Sequence, residues 1–275
     1  MNCIPCGAYN PSVIRFNGRL LLSYRAHDRG LPGADWRTSL FIADLNEGFL
    51  PISYKPFKPP KDLENNSHED SRFFIHQGNL WMSWSISLYP ATEYKGIVAF
   101  GNLVESETEW TVGTFYIPAY GHNDFSGIEK NFVFWSQDER LYCFYAVEHG
   151  QQTVLQLEQA RVEEVFITPA LPWAYGPLHG GAICRHDGSL YHFFNSRDKA
   201  GRYSIGCATM EGQPPFAMKS ISPKPTLRGE EGVCLDKAAR PKNHVVFACG
   251  AIRENGQTLL SYGFNDHSCR ILKLT

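Results

Sequence analysis

The chain has 275 residues, with 26 Lys and Arg against 28 Asp and Glu, a formal net charge of −2. Its basic residues are dispersed rather than gathered in one run, which argues against a nucleic acid partner, and its longest apolar stretches are strand-sized, far short of the ~20 residues that span a bilayer. All-β chains of this size commonly form one domain with a large core, so a single domain over residues 1–275 is expected.

The start, Met1-Asn2-Cys3-Ile4-Pro5-Cys6, lacks a charged region followed by an apolar core, so no export signal is read there and a cytoplasmic, soluble protein is expected. Cys3 and Cys6 form a lone C-x-x-C; a structural zinc site needs a second pair of ligands at matching spacing, and none is found, so no metal is expected. Of the eight cysteines, Cys143, Cys184, Cys207, Cys249 and Cys269 lie in or beside apolar strand patterns, where a free thiol behaves as a small hydrophobe and a reducing compartment fits.

Along the chain one unit recurs. A Gly-, Asn- or Asp-containing turn leads into a short hydrophobic strand at Asn17-Gly18 (to Tyr24), Gln77-Gly78 (to Trp84), Asp138-Glu139 (to Tyr145), Asp187-Gly188 (to Phe194) and Asn255-Gly256 (to Tyr262). The turns fall about 50 to 70 residues apart, the length of one four-stranded sheet with its connections, which predicts radial repetition. The expected fold is an all-β, five-bladed β-propeller whose ring is closed by the N- and C-terminal strands. Strands such as Leu80-Trp81-Met82-Ser83-Trp84-Ser85 are rich in aromatics and poor in helix formers. The best helical stretch, Gln156 to Val165, reads equally as an outer strand, and the Pro-dense stretches Pro51 to Pro60 and Pro214 to Pro225 read as loops.

In such a fold the innermost strands converge on the axis, so the polar clusters standing before each repeat strand share one funnel. They are Asn10-Pro11-Ser12 with Tyr24-Arg25; Glu69-Asp70-Ser71-Arg72; Glu129-Lys130-Asn131; His179-Gly180-Gly181 with Asn195-Ser196-Arg197; and Asn265-Asp266-His267. Polar residues repeated where an apolar strand begins cost burial energy unless a ligand or a hydrogen-bond network satisfies them. His27, His68, His122, His179 and His267 lie near this funnel without a metal-ligand spacing, and Tyr24, Trp84, Tyr120 and Trp173 are candidates to stack on a flat ligand.

These motifs, together with Val245-Val246-Phe247-Ala248-Cys249-Gly250 and Tyr262-Gly263-Phe264-Asn265-Asp266, occur in an order that resembles glycoside hydrolase family 130 over nearly the whole chain. The resemblance implies a five-bladed propeller acting on β-mannosides with inversion, as a phosphorylase or a hydrolase. It implies Asp70, in the family's Glu-Asp-Pro-Arg motif, as the general acid, with Ser71 replacing the proline. Protonating the leaving oxygen typically contributes roughly 10²–10⁴-fold to such a cleavage. Arg25 and Lys130 match phosphate-binding positions, and inorganic phosphate is then a co-substrate rather than a cofactor. Asn10, Arg25, Glu69, Arg72, His179, Asn195, Asp266 and His267 are the expected substrate-binding residues. Asn195 stands where the family often has His, which removes a positive charge from the phosphate side.

If water replaces phosphate, a base is needed, and Glu129, Asp266, Glu230 and Glu231 are the candidates. Two other readings stay open: a glycosyltransferase of the same propeller type, and a non-catalytic glycan-binding propeller. The expected partner is an oligosaccharide or glycoside; oligomeric state is not legible.

Overall fold

In a computed structural model, residues 7–27, 37–88, 96–118, 130–146, 151–157, 161–167, 170–175, 178–231 and 244–275 are described. Among them there is no α-helix, and no helix long and apolar enough to cross a membrane. The strands form successive antiparallel meanders. The first runs β1 (Ala8–Phe16), β2 (Arg19–His27), β3 (Thr38–Leu45) and β4 (Pro51–Lys58); the second runs β5 (Ser67–His76), β6 (Asn79–Ser87), β7 (Gly96–Glu105) and β8 (Trp110–Tyr116). The third has β9 (Val133–Gln137), β10 (Arg140–Ala146), β11 (Gln151–Gln156) and β12 (Arg161–Ile167). The fourth has β13 (His179–His186), β14 (Ser189–Arg197), β15 (Tyr203–Glu211) and β16 (Met218–Ile221), with β17 (Leu227–Arg228) also on β15. The last has β18 (Val246–Glu254), β19 (Gln257–Phe264) and β20 (Ser268–Leu274).

The recurring turns all join the first two strands of a meander, and each places both central residues in the left-handed region: φ is 48° and 77° at Asn17-Gly18, and 47° and 78° at Asn255-Gly256. That is the type I′ geometry whose twist matches the flanking strands, and Asn, Asp and Gly tolerate it best. The stretch Gln156 to Val165 falls in outer strands β11 and β12, with residues 158–160 outside the described set. The Pro-dense segments are not simply loops. Pro51–Lys58 is strand β4, where Pro51 and Pro56 are tolerated because they precede Phe57 and Lys58, the residues whose outer side is paired, and Met218–Ile221 pairs with β15. β4 also pairs in parallel with β8 through Phe57–Trp110 and Lys58–Thr111, so the first two meanders form one eight-stranded sheet.

The first strand of each meander packs against the first strand of the next, β1 on β5, β5 on β9, β9 on β13 and β13 on β18, and β18 packs on β1. Apolar clusters fill the spaces between successive meanders: Leu21, Leu40, Phe57 and Trp84 between the first two, Phe74, Phe100 and Phe134 between the next, and Val13, Leu22 and Tyr24 with Ile252 and Ile271 between the last and the first. The pairing of chain ends within one sheet is not seen among the described residues. β20 pairs with β19 and β1 with β2, while Met1 to Cys6, including Cys3 and Cys6, lie outside them.

Candidate active site

Four of the inner strands carry a β-bulge near their starts, between Tyr9 and Ser12, Glu69 and Arg72, Gly180 and Ala182, and Ala248 and Gly250. A bulge inserts residues that face no ladder partner and re-aims their side chains. In β1 and β5 the inserted pairs are equivalent, Asn10-Pro11 and Asp70-Ser71, and Asn10 and Asp70 both adopt positive φ, 53° and 51°. Asn and Asp enter this region more readily than other non-glycine residues, and such outliers concentrate at functional sites. The consequence is a direct contact: Asn10 Nδ2 donates to Asp70 Oδ1 at 2.7 Å, across 60 residues of sequence.

Around Asp70, which is 6% exposed, the structure gathers charge. Arg25 Nη1 lies 2.8 Å from Glu69 Oε2 and its Nε 3.4 Å from Asp70 Oδ1. Lys130 Nζ reaches Glu69 Oε2 at 3.3 Å, and Ser87 Oγ donates to Glu69 Oε1 at 2.9 Å. Burial pushes both carboxyl groups up, but the cations outweigh it. Arg25, Arg72 and Lys130 with the Asn10 hydrogen bond hold Asp70 below the usual carboxylate range, and Arg25, Lys130 and Ser87 do the same for Glu69. Asp70 is therefore a carboxylate in the ligand-free protein. A depressed native pKa contributes stability that is present above the unfolded value and lost as pH falls through the native one. Urea titrations should show the native protein losing stability as pH drops below about 4, and a Glu69→Gln/Asp70→Asn double variant losing clearly less over that window.

Tyr9 was not among the expected site residues, yet the Arg25 guanidinium sits 4.3 Å from its ring centroid and its hydroxyl lies 3.1 Å from His27 Nε2. Burial, reinforced by Asp266, Asp70 and Glu69 against Arg25, pushes its phenol up to about 12. Its adjacency to Asn10 was the available signal, hidden because a bulge rather than alternation turns the pair toward the charges. Asp266 sits on the Asn265-Asp266 turn between β19 and β20, both residues at positive φ, 54° and 49°, and its charge is felt by Tyr9 and Arg25. His267 follows, its backbone N–H donating to Phe264 O at 3.1 Å. His179 begins β13; burial, then Arg197, Arg72 and Lys130, lower its pKa and favour a neutral imidazole.

Two expected substrate contacts are occupied by the protein itself. Arg72 is 4% exposed and donates to Gly181 O (2.9 Å), Gly180 O (3.1 Å), Asn131 Oδ1 (3.2 Å) and Asp70 O (2.7 Å), bracing β5 against β13 and against Asn131, two residues before β9. Asn195 is fully buried, with Oδ1 accepting from Ala248 N at 2.8 Å and Nδ2 donating to Ala248 O at 3.2 Å, which clips β14 to β18. Gly180 serves the same seam: a Cβ there would stand 2.2 Å from Asn131 O, so only glycine permits the approach.

Tyr24, Trp84 and Trp173 are core residues, Tyr24 stacked on Phe41 and Trp173 on Phe194, with Trp84 edge-on to Phe57. His68 turns away from the charges to Leu63 O at 3.0 Å. Glu230 and Glu231 are exposed, Glu231 lying 3.7 Å from His244 Nε2. Glu129, Tyr120 and His122 lie outside the described residues.

No family model and no curated protein matches the chain. Solved structures do. The β-1,2-mannobiose phosphorylase from Listeria innocua, in complex with β-1,2-mannobiose, aligns with a TM-score of 0.70 at 15% identity, over 98% of this chain and 89% of that one. A family 130 glycoside hydrolase targeting β-1,2-mannosidic linkages in Candida mannan aligns at 0.69 and 15%, over 97% and 83%. The chain shares their fold. It also shares it with an α-L-arabinofuranosidase from Lactobacillus brevis, at 0.65 and 10% identity over 98% and 91%, so shape alone does not choose the sugar.

Proposed function

We propose that the chain is a single-domain, five-bladed propeller that cleaves a β-mannoside or related glycoside with inversion, Asp70 donating the proton to the leaving oxygen. The cyclic packing of the inner strands, β18 against β1 included, supports the ring, and the five free cysteines seen among the described residues suit a cytoplasmic setting. The observation that carries the reaction is the bulge at Asp70, which holds one buried carboxyl group at positive φ beside Asn10 and Arg25.

Inversion follows from the neighbour. A retaining enzyme needs a second carboxylate free to attack the sugar, about 5–5.5 Å from the acid. Glu69 is poorly suited, because Arg25 and Lys130 hold one of its oxygens and Ser87 the other. The nucleophile then comes from outside the protein. Arg25 and Lys130 favour phosphate: an incoming oxyanion pairs with guanidinium and ammonium, its oxygen attacks the anomeric carbon, the glycosidic bond breaks, and the leaving oxygen takes the Asp70 proton. Phosphate also offsets the cations that hold Asp70 ionised, so anion and proton enter together. Asp266, Asn10, His179 and His267 are the residues we assign to sugar hydroxyls.

The test is product analysis after incubation with β-1,2-mannobiose and a panel of other β-glycosides, with and without phosphate. The expected result is a sugar 1-phosphate in the phosphate arm. Free sugar at equal rates in both arms makes water the nucleophile, and no product in any arm, sugar nucleotide donors included, leaves a glycan-binding role.

A further inference from the structure

A second opening lies on the other side of Arg72. Along β1, β5 and β13 the candidate active-site residues precede or occupy the bulge; the residues after it, with those of β9 and β18 running toward the type I′ turns, line a separate cavity of about 420 Å³. Its wall is apolar, built from Val13, Ile14, Phe74, Val133, Ile183 and Ile252, and Arg72, braced to Gly180 and Gly181, forms part of its lining at the boundary with the site around Asp70. The volume falls within the range of small-molecule sites, roughly 300–1,000 Å³, and exceeds what a few waters need.

Toward the turns the lining becomes cationic. Arg15, Arg185 and Arg253 stand there with one carboxylate, Glu254. Arg15 is already balanced, by Glu254 and by Glu47 at 3.0 Å. The other two are not. Arg185, exposed at the mouth of the opening, donates to the neutral Gln137 amide, and Arg253 donates to Thr258 Oγ1 at 3.1 Å; among the described residues neither guanidinium has a carboxylate within 4.0 Å. Asp138 acts on Arg185 only at a distance, and Asp187 is paired with His186 at 2.9 Å. Two uncompensated guanidinium groups beside an apolar cavity match one ligand chemistry, an apolar body with an anionic head.

We infer that this second opening binds a small amphiphilic anion, a carboxylate or sulfonate, with its apolar part among Ile183, Ile252 and Val133 and its charge on Arg185 and Arg253. The site is independent of the glycoside reading. It is tested with 1-anilinonaphthalene-8-sulfonate as the probe. Titration should show one saturable site per chain, with energy transfer from tryptophan, Trp135 being part of the lining. Decanoate should displace the probe, while phosphate and β-1,2-mannobiose should not. Arg185→Gln/Arg253→Gln should weaken binding by about tenfold or more. Ala251→Trp, which adds bulk at an uncharged lining position, should weaken it as well, with urea midpoints confirming that both variants are folded. Absence of a saturable site in the native protein, or affinity unchanged in both folded variants, overturns the inference.

Discussion

Asp70→Asn is expected to fold, to bind glycoside, and to lose turnover by roughly 10²–10⁴-fold, the usual contribution of a positioned general acid. Asn is the right probe because it keeps what the site builds around this position. Its side-chain oxygen can still accept from Asn10 Nδ2, and Asn adopts the positive φ of 51° found here with little penalty. What it removes is the titrating proton and one negative charge beside Arg25 and Arg72. Arg25 keeps Glu69 as its partner at 2.8 Å, so the loss of charge does not leave that guanidinium alone. Activity is read by product formation, and binding by the ligand-induced rise in melting temperature. An Asn variant retaining activity within tenfold of the native protein moves the proton transfer to another group.

The second large effect is on stability. Arg72→Met fills a similar volume but deletes four hydrogen bonds, leaving the carbonyls of Gly180, Gly181 and Asp70 and the amide oxygen of Asn131 short of a donor inside the protein. Removing one partner from a buried charged network typically costs about 3–5 kcal/mol, a large share of a domain's stability. Arg72→Lys should recover only part of it, because a point ammonium cannot reach acceptors in the planar fork that guanidinium provides. The urea midpoint measures both. A change below about 1 kcal/mol in Arg72→Met would mean that the brace is incidental. Because Arg72 also fixes the Asp70 carbonyl, residual folded variant should show reduced kcat.

These two residues stand next but one in sequence and differ in legibility for a physical reason. The recurring turns were readable because type I′ geometry demands Asn, Asp or Gly, and that demand is local. The inner-strand bulges were not, since Tyr9-Asn10-Pro11-Ser12 and Glu69-Asp70-Ser71-Arg72 carry no alternation to show which side chain is re-aimed. The grouping of Arg25, Glu69, Asp70 and Lys130 was anticipated from the phase of the repeats, and the structure brings these four together with Asp266 close enough to act on Arg25. Asn195 and Arg72 belong to the same polar clusters but turn into the seams between meanders, where inner strands need donors and acceptors to lock onto each other. Composition cannot separate a polar residue that faces a ligand from one that faces a neighbouring backbone. β4 misled for a simpler reason: Pro51 and Pro56 precede the two residues, Phe57 and Lys58, whose outer side pairs with β8.

The central claim, that one buried acid acts with an external nucleophile, is tested most directly by the anomeric configuration of the first product formed from a β-mannoside. Proton NMR during the first minutes of turnover, before the anomers equilibrate, should show the α-anomer, as α-mannose 1-phosphate when phosphate is supplied. A β-configured first product would contradict it, because retention requires a protein carboxylate to attack the sugar, and Glu69 is held by Arg25, Lys130 and Ser87.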